Sequence, residues 1–130
     1  MPAAIGAALL DRGRRVVALT GDGGLVMCAG ELLTAARERL PITVVVFSDR
    51  SLTLIEIKQQ RKRYRAAGVD LGGVNWCAVA EGFGLAAFSA TSEAELARAL
   101  DGATALDGPS LIDARIDRGN YSALMTAIRG

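Results

Sequence analysis

No histidine occurs anywhere in the 130 residues. That absence removes the commonest general base, the commonest zinc ligand and every scheme in which an imidazole activates a serine or cysteine. Lysine is nearly absent too: Lys58 and Lys62 stand alone, and arginine carries the rest of the positive charge. With a net charge of +1 and no long basic tract, the electrostatic footprint of a nucleic-acid binder is missing. Cys28 and Cys77 are far apart and form no C-x-x-C or metal-type cluster. With no signal peptide in view, they read as buried thiols of a reducing cytoplasm. The apolar runs are too short to cross a bilayer, so no membrane role is expected.

What is present is apolar mass: 51% of the residues are hydrophobic, mostly Ala, Leu and Val. The length suits one domain, 1–130, with a real core. Helix and strand signals alternate over short connections. A helix is expected over 2–13, with Pro2 in its first turn and Gly13 as its stop. The strand 15–20 runs into a Gly-Asp-Gly-Gly turn. A helix over 29–40 places Leu32, Leu33, Ala36 and Leu40 on one side. After Pro41, 42–48 is the most β-branched run and reads as a central strand. A second amphipathic helix spans 52 to about 63 and carries Ile55 and Ile57. Beyond the glycine-containing loop 66–75 come a helix 75–84, a strand 86–90 and a helix 91–106 with a Ser92–Glu95 capping box. A last strand, 109–116, precedes a closing helix, 120–129. This alternation predicts an α/β fold, a doubly wound parallel sheet with helices on both faces. With about four strands and no strand ahead of the first helix, the domain is expected to lack its leading edge.

The chemistry concentrates in two strand-end turns, "TGDGGLV" and "FSDRSLT". In a right-handed βαβ unit both turns emerge at the carboxyl edge of the sheet, where such folds bind ligands. Asp22 and Asp49 are thereby brought together although distant in sequence. Two like charges at one edge call for a cation, and Mg²⁺ suits one or two carboxylates completed by phosphate oxygens and water. Gly21, Gly23 and Gly24 let the backbone approach an anion near a helix start. The competing reading is structural: Asp-Gly turns are frequent, and Asp before a helix is a common N-cap.

These residues resemble the cofactor-binding domain of thiamine diphosphate-dependent enzymes of the acetolactate synthase and pyruvate decarboxylase group. The similarity runs through "PAAIGAAL", "GDGGLVMCAGELLTAARERLPITVVVFSDRSLTLIEIKQQ", "WCAVAEGFG" and "GPSLIDARID", nearly the whole chain. It implies thiamine diphosphate and Mg²⁺ as cofactors, with metal ligands from the Asp22 and Asp49 side chains and the Ser51 backbone carbonyl. It further implies diphosphate contacts from the N–H groups of Gly23, Gly24 and Thr53, with Met27 and Leu54 near the thiazolium or the bridging part of the cofactor. The chain departs from the pattern at Ser48-Asp49, where the family has two asparagines, and at Leu52-Thr53 in place of Tyr-Gly. An aspartate at the second ligand position resembles the catabolic branch of the acetolactate synthases.

The resemblance also implies what must come from elsewhere. The glutamate that drives cofactor activation belongs to a pyrimidine-binding domain, on another chain or a missing segment, and nothing here matches that domain. Glu31, Glu38, Glu56, Glu81, Glu93 and Glu95 are expected on helix surfaces and caps, so no catalytic residue is assigned to this chain. The expected whole is a cytoplasmic homo-oligomer acting on a 2-oxo acid by decarboxylation and carboligation, with this chain inactive by itself. A non-catalytic remnant or interaction module that keeps the fold is the alternative. A receiver-type phosphoacceptor, which gathers aspartates at a similar edge, is disfavoured because the last strand lacks a lysine. The basic run 58–65 reads as a solvated helix face or subunit contact, and Trp76 and Phe83 as core.

Overall fold

A computed structural model describes residues 1–119 together with Tyr121, Ala123 and Ala127. Among these residues four strands form one sheet: β1 (Val16–Gly21), β2 (Ile42–Ser48), β3 (Ala86–Ala90) and β4 (Ser110–Arg115). All neighbours are parallel and the order is β1-β2-β4-β3. The helices are α1 (Pro2–Leu10), α2 (Asp22–Val26), α3 (Glu31–Arg37), α4 (Thr53–Arg61), α5 (Trp76–Gly82) and α6 (Glu93–Thr104). The parallel α/β architecture expected from the alternation is therefore present. The closing helix expected over 120–129 lies, apart from three residues, outside the described residues.

β2 explains how the sheet is buried. Ile42, Val44 and Val46 point into one core with Ile5, Leu25, Leu32, Trp76 and Leu111, while Val45 points into a second with Ile112, Ala99 and Ala103. A strand enclosed on both faces reads as a continuous β-branched run, which is what 42–48 is. The first core is roofed by α1, α3 and α5 and the second by α6, whose Ser92 N-cap side chain accepts from Glu95 N at 3.3 Å.

Several elements are shorter than the sequence pattern implied. α1 stops at Leu10, where Asp11 turns extended, and Gly13 lies beyond its end. The glycine-led turn after β1 forms a separate short helix, α2, so α3 begins only at Glu31. α3 buries Leu32 and Ala35, leaving Leu33 exposed. In α4 it is Ile57 that is buried, and Ile55 faces outward. Both thiols are half-buried rather than buried. Trp76 is core, as expected, and Phe83 packs against it partly buried.

Candidate functional site

β1 and β2 end side by side, with Gly21 in register with Phe47. Asp22 and Asp49 each follow directly, so the parallel register delivers both carboxylates to the carboxyl edge. Asp22 is buried and is the first residue of α2; Gly21 holds the N-cap position and no side chain caps the helix. Asp22 Oδ1 accepts from its neighbour Gly23 N, and Oδ2 accepts from Arg50 N, each at 2.8 Å. The second bond ties the two loops together. Asp49 Oδ1 accepts from Ser51 N at 2.9 Å, and Oδ2 accepts from Thr53 Oγ1, the first residue of α4, at 2.7 Å.

The 49–52 loop is held from outside by residues 69–71. Leu52 N donates to Val69 O at 2.8 Å, Leu71 N donates to Arg50 O at 3.0 Å, and Ser51 bridges Asp70. The Ser51 hydroxyl lies 3.1 Å from Val69 O and 3.2 Å from Glu56 Oε2, with one proton to give. Arg50 is forced into the left-handed region at φ 65°, a conformation that costs a non-glycine residue about 1–2 kcal/mol. The surrounding bonds hold it there.

A cavity of about 360 Å³ opens between the two loops. Eight of the nine residues the sequence pointed to line it: Gly21, Asp22, Gly23, Gly24, Asp49, Ser51, Thr53 and Leu54. Met27 does not; it is 84% exposed on the turn after α2. The glycines sit tight against their neighbours. A Cβ on Gly23 would fall inside van der Waals contact of Leu52 Cδ2, and one on Gly24 would lie 2.8 Å from Thr20 Oγ1. The sequence reading missed Phe47, Leu52, Ile55, Ile116 and Tyr121 on the cavity wall. Burial, then the Asp49 and Asp22 charges, push the Tyr121 phenol above its ordinary value.

A second, smaller cavity of about 150 Å³ adjoins Asp22 and is lined by Ser48, Arg50, Trp76, Asp113 and Arg115 among others. Asp113 is a carboxylate in the middle of β4, 3% exposed. Burial first, then its charge and that of Glu81, push the Cys77 thiol up, with Arg115 opposing. An aspartate interrupting the buried run "SLIDARI" was the available signal for it.

Among the described residues no group of three or more His, Cys, Asp or Glu side chains gathers to hold a metal ion by itself. The donor set suits a hard cation that takes few protein ligands and completes its shell from a bound phosphate. Two carboxylates share the cavity, each with lone pairs beyond its internal hydrogen bonds. No backbone donor among the described residues takes the Ser51 carbonyl. The residues present therefore fit a Mg²⁺–diphosphate group.

An all-parallel sheet with two carboxylate loops and a glycine-led short helix at its carboxyl edge defines an α/β cofactor-binding domain. Residues 1–114 match the family model "Thiamine pyrophosphate enzyme, C-terminal TPP binding domain", and the chain belongs to that family. It is 36% identical over 117 residues to the acetolactate synthase of Bacillus subtilis (strain 168), covering 90% of this chain and 20% of that protein. To the catabolic acetolactate synthase of Raoultella terrigena it is 34% identical over 125 residues, covering 96% of this chain and 22% of the other. The fold superposes on Rhodococcus jostii RHA1 thiamine diphosphate-dependent 4-hydroxybenzoylformate decarboxylase with a TM-score of 0.84 at 26% identity, over 90% of this chain and 22% of that one. The chain thus spans about a fifth of the length of the relatives it matches. No helix among the described residues is long and apolar enough to cross a membrane.

Proposed function

We propose that residues 1–130 form a single domain that holds the diphosphate of thiamine diphosphate through Mg²⁺, as part of an acetolactate synthase-like enzyme. The observation that carries this reading is the bond from Arg50 N to Asp22 Oδ2, which locks two loops distant in sequence around one cavity. The Asp22 and Asp49 side chains and the Ser51 carbonyl serve as metal ligands. The N–H groups of Gly23, Gly24 and Thr53 hold the diphosphate at the starts of α2 and α4, where the helix ends favour an anion, and Gly23 N–H exchanges its bond to Asp22 Oδ1 for one to the phosphate as Asp22 takes the metal. Leu54 packs near the thiazolium or the bridging part of the cofactor, whereas Met27, exposed on the turn after α2, stands outside the cavity. When bound, the cofactor supplies the electron sink for decarboxylation of a 2-oxo acid and carboligation of the product. This chain anchors and orients it.

The second carboxylate has a cost. Asp49 puts a full negative charge beside a diphosphate where an asparagine would put none, and the glycine N–H groups and helix ends must offset it. The proposed setting is a cytoplasmic homo-oligomer in which a pyrimidine-binding domain provides the activating glutamate, so the isolated chain turns over no substrate. The intact pair of ligand loops favours this reading over a remnant that has lost its site.

Calorimetry with thiamine diphosphate and Mg²⁺ on the full-length protein tests it. Asp22→Ala is expected to abolish metal-dependent binding. Asp49→Asn is expected to keep it within a few-fold, because the amide retains one oxygen ligand and its NH₂ group still meets a Thr53 hydroxyl able to accept. Equal loss in the two variants would overturn the assignment of the second ligand, and no binding by the wild type would overturn the cofactor itself.

A further inference from the structure

β2 ends on Ser48, and Asp49 is the next residue. The Ser48 side chain is buried, and its hydroxyl donates to Asp113 Oδ1 on the neighbouring strand β4. Arg115 Nε reaches the other oxygen, Oδ2, at 3.3 Å. The backbone pairing continues just past this point, with Ile116 N donating to Ser48 O at 3.1 Å. Neither Ser48 nor Asp113 lines the 360 Å³ cavity; both line the smaller cavity on the other side of Asp22. Whatever they do for the site, they do without touching its ligand.

We propose that Asp113, acting through Ser48, is a positioning residue that fixes the departure of the 49–52 loop and so keeps Asp49 and Asp22 on one cavity. The inference rests on the metal–diphosphate reading above. Two observations motivate it. First, Arg50 stands between the proposed ligands in a left-handed conformation, and its amide is the donor that binds Asp22. A strained residue relaxes when either flank is released, and that movement would withdraw the donor. The downstream flank is held by Val69 and Leu71; the upstream flank is held by Ser48. Second, a carboxylate 3% exposed whose cationic partner is itself 53% exposed is a costly occupant of a core strand. An apolar residue would fill the same place without the desolvation penalty. The Ser48 bond gives the buried charge a partner, and gives the loop an anchor that an apolar residue would not.

The test uses the full-length protein, with Mn²⁺ as a paramagnetic stand-in for Mg²⁺, since both take octahedral oxygen ligands. Mn²⁺ uptake in the presence of thiamine diphosphate is followed by electron paramagnetic resonance, and unfolding temperature is measured without metal or cofactor. Ser48→Ala is expected to weaken Mn²⁺ binding about tenfold, the usual scale for residues that orient metal ligands. Ser48→Asn is expected to restore it to within about threefold. Its amide still donates to Asp113, and the adjoining 150 Å³ cavity has room for the longer side chain. Asp113→Leu, which removes the acceptor at similar volume, should lose affinity as Ser48→Ala does, and the double variant should lose no more than Asp113→Leu alone. Should Asp113→Leu fail to fold, the Ser48 pair decides. A Ser48→Ala protein with a lowered unfolding temperature but wild-type Mn²⁺ affinity would overturn the inference alone. A wild type that takes up no Mn²⁺ with the cofactor present would overturn the cofactor reading as well.

Discussion

Gly23 carries the tightest residue-level constraint in the site. A methyl group there collides with Leu52 Cδ2, the end of a flexible side chain that shares the cavity wall. The collision is relieved by moving Leu52, a wall residue of the cavity proposed for the diphosphate. Gly23→Ala is therefore expected to cost less than about 1 kcal/mol in unfolding free energy yet weaken thiamine diphosphate binding about tenfold. Paired chemical denaturation and calorimetry would show the split; an equal loss in both would mean that the glycine serves the fold and not the ligand. This residue was legible in the sequence because close backbone approach demands glycine at particular places along a turn. Asp22 and Asp49 were legible because strand-end positions in a parallel sheet converge whatever the separation along the chain. Asp113 and Tyr121 were not placed, for a different reason. Their partners, Ser48 for one and the two aspartates for the other, come from distant elements, and no local pattern records such a meeting.

At the scale of elements, caps were easier to read than faces. Ser92 and Glu95 were legible as a box, and the Ser92 half is present, its side chain accepting from Glu95 N. The Glu95 carboxylate reaches one residue further back than the usual box, accepting from Thr91 N and Thr91 Oγ1, each at 2.7 Å. Those Thr91 bonds, first the hydroxyl and then the amide, hold the Glu95 carboxyl below the ordinary value for glutamate. A depressed folded-state value means that this contribution is complete above the unfolded value and is lost as pH falls through the folded one. Ser92→Ala is expected to destabilise the domain by about 1 kcal/mol, with little pH dependence. Thr91→Ala should remove the hydroxyl bond and flatten the acid limb of stability below about pH 4.5, where an unperturbed glutamate is about half protonated. Unfolding midpoints measured between neutral pH and about pH 3 for the two variants check this, and a Thr91→Ala curve parallel to the wild type would refute it. Helix faces were read less well, since Leu33 and Ile55 fit an apolar stripe yet point outward. Leu32 and Leu33 stand about 100° apart around a helix, and Ile55 and Ile57 about 200° apart, so a face that buries one of each pair turns the other away.

The whole molecule has one side less finished than the others. Among the described residues β1 pairs with β2 alone, and α6 packs over β3 and β4. On the α6 face of the sheet, Val17 is 48% and Leu19 68% exposed, although both belong to a strand of parallel-sheet composition. The sequence of β1 was legible as a strand, but its half-bare state was not. Whether a strand is central or marginal depends on its neighbours, and its own residues are those of a covered strand. A free edge with apolar side chains and no charge along its length is a template for association. The 130-residue chain on its own is therefore expected to self-associate as its concentration rises. Leu19→Lys places a charge in the middle of that face, and because Leu19 is already mostly in water, the change should alter unfolding free energy by less than about 0.5 kcal/mol. Sedimentation velocity across a concentration series, beside a thermal melt, gives both quantities. Reduced association at unchanged stability is the expected result. Association as strong as in the wild type would place the sticky surface elsewhere, the exposed patch of Ile55 on α4 and Tyr64 just past its end being the next to alter.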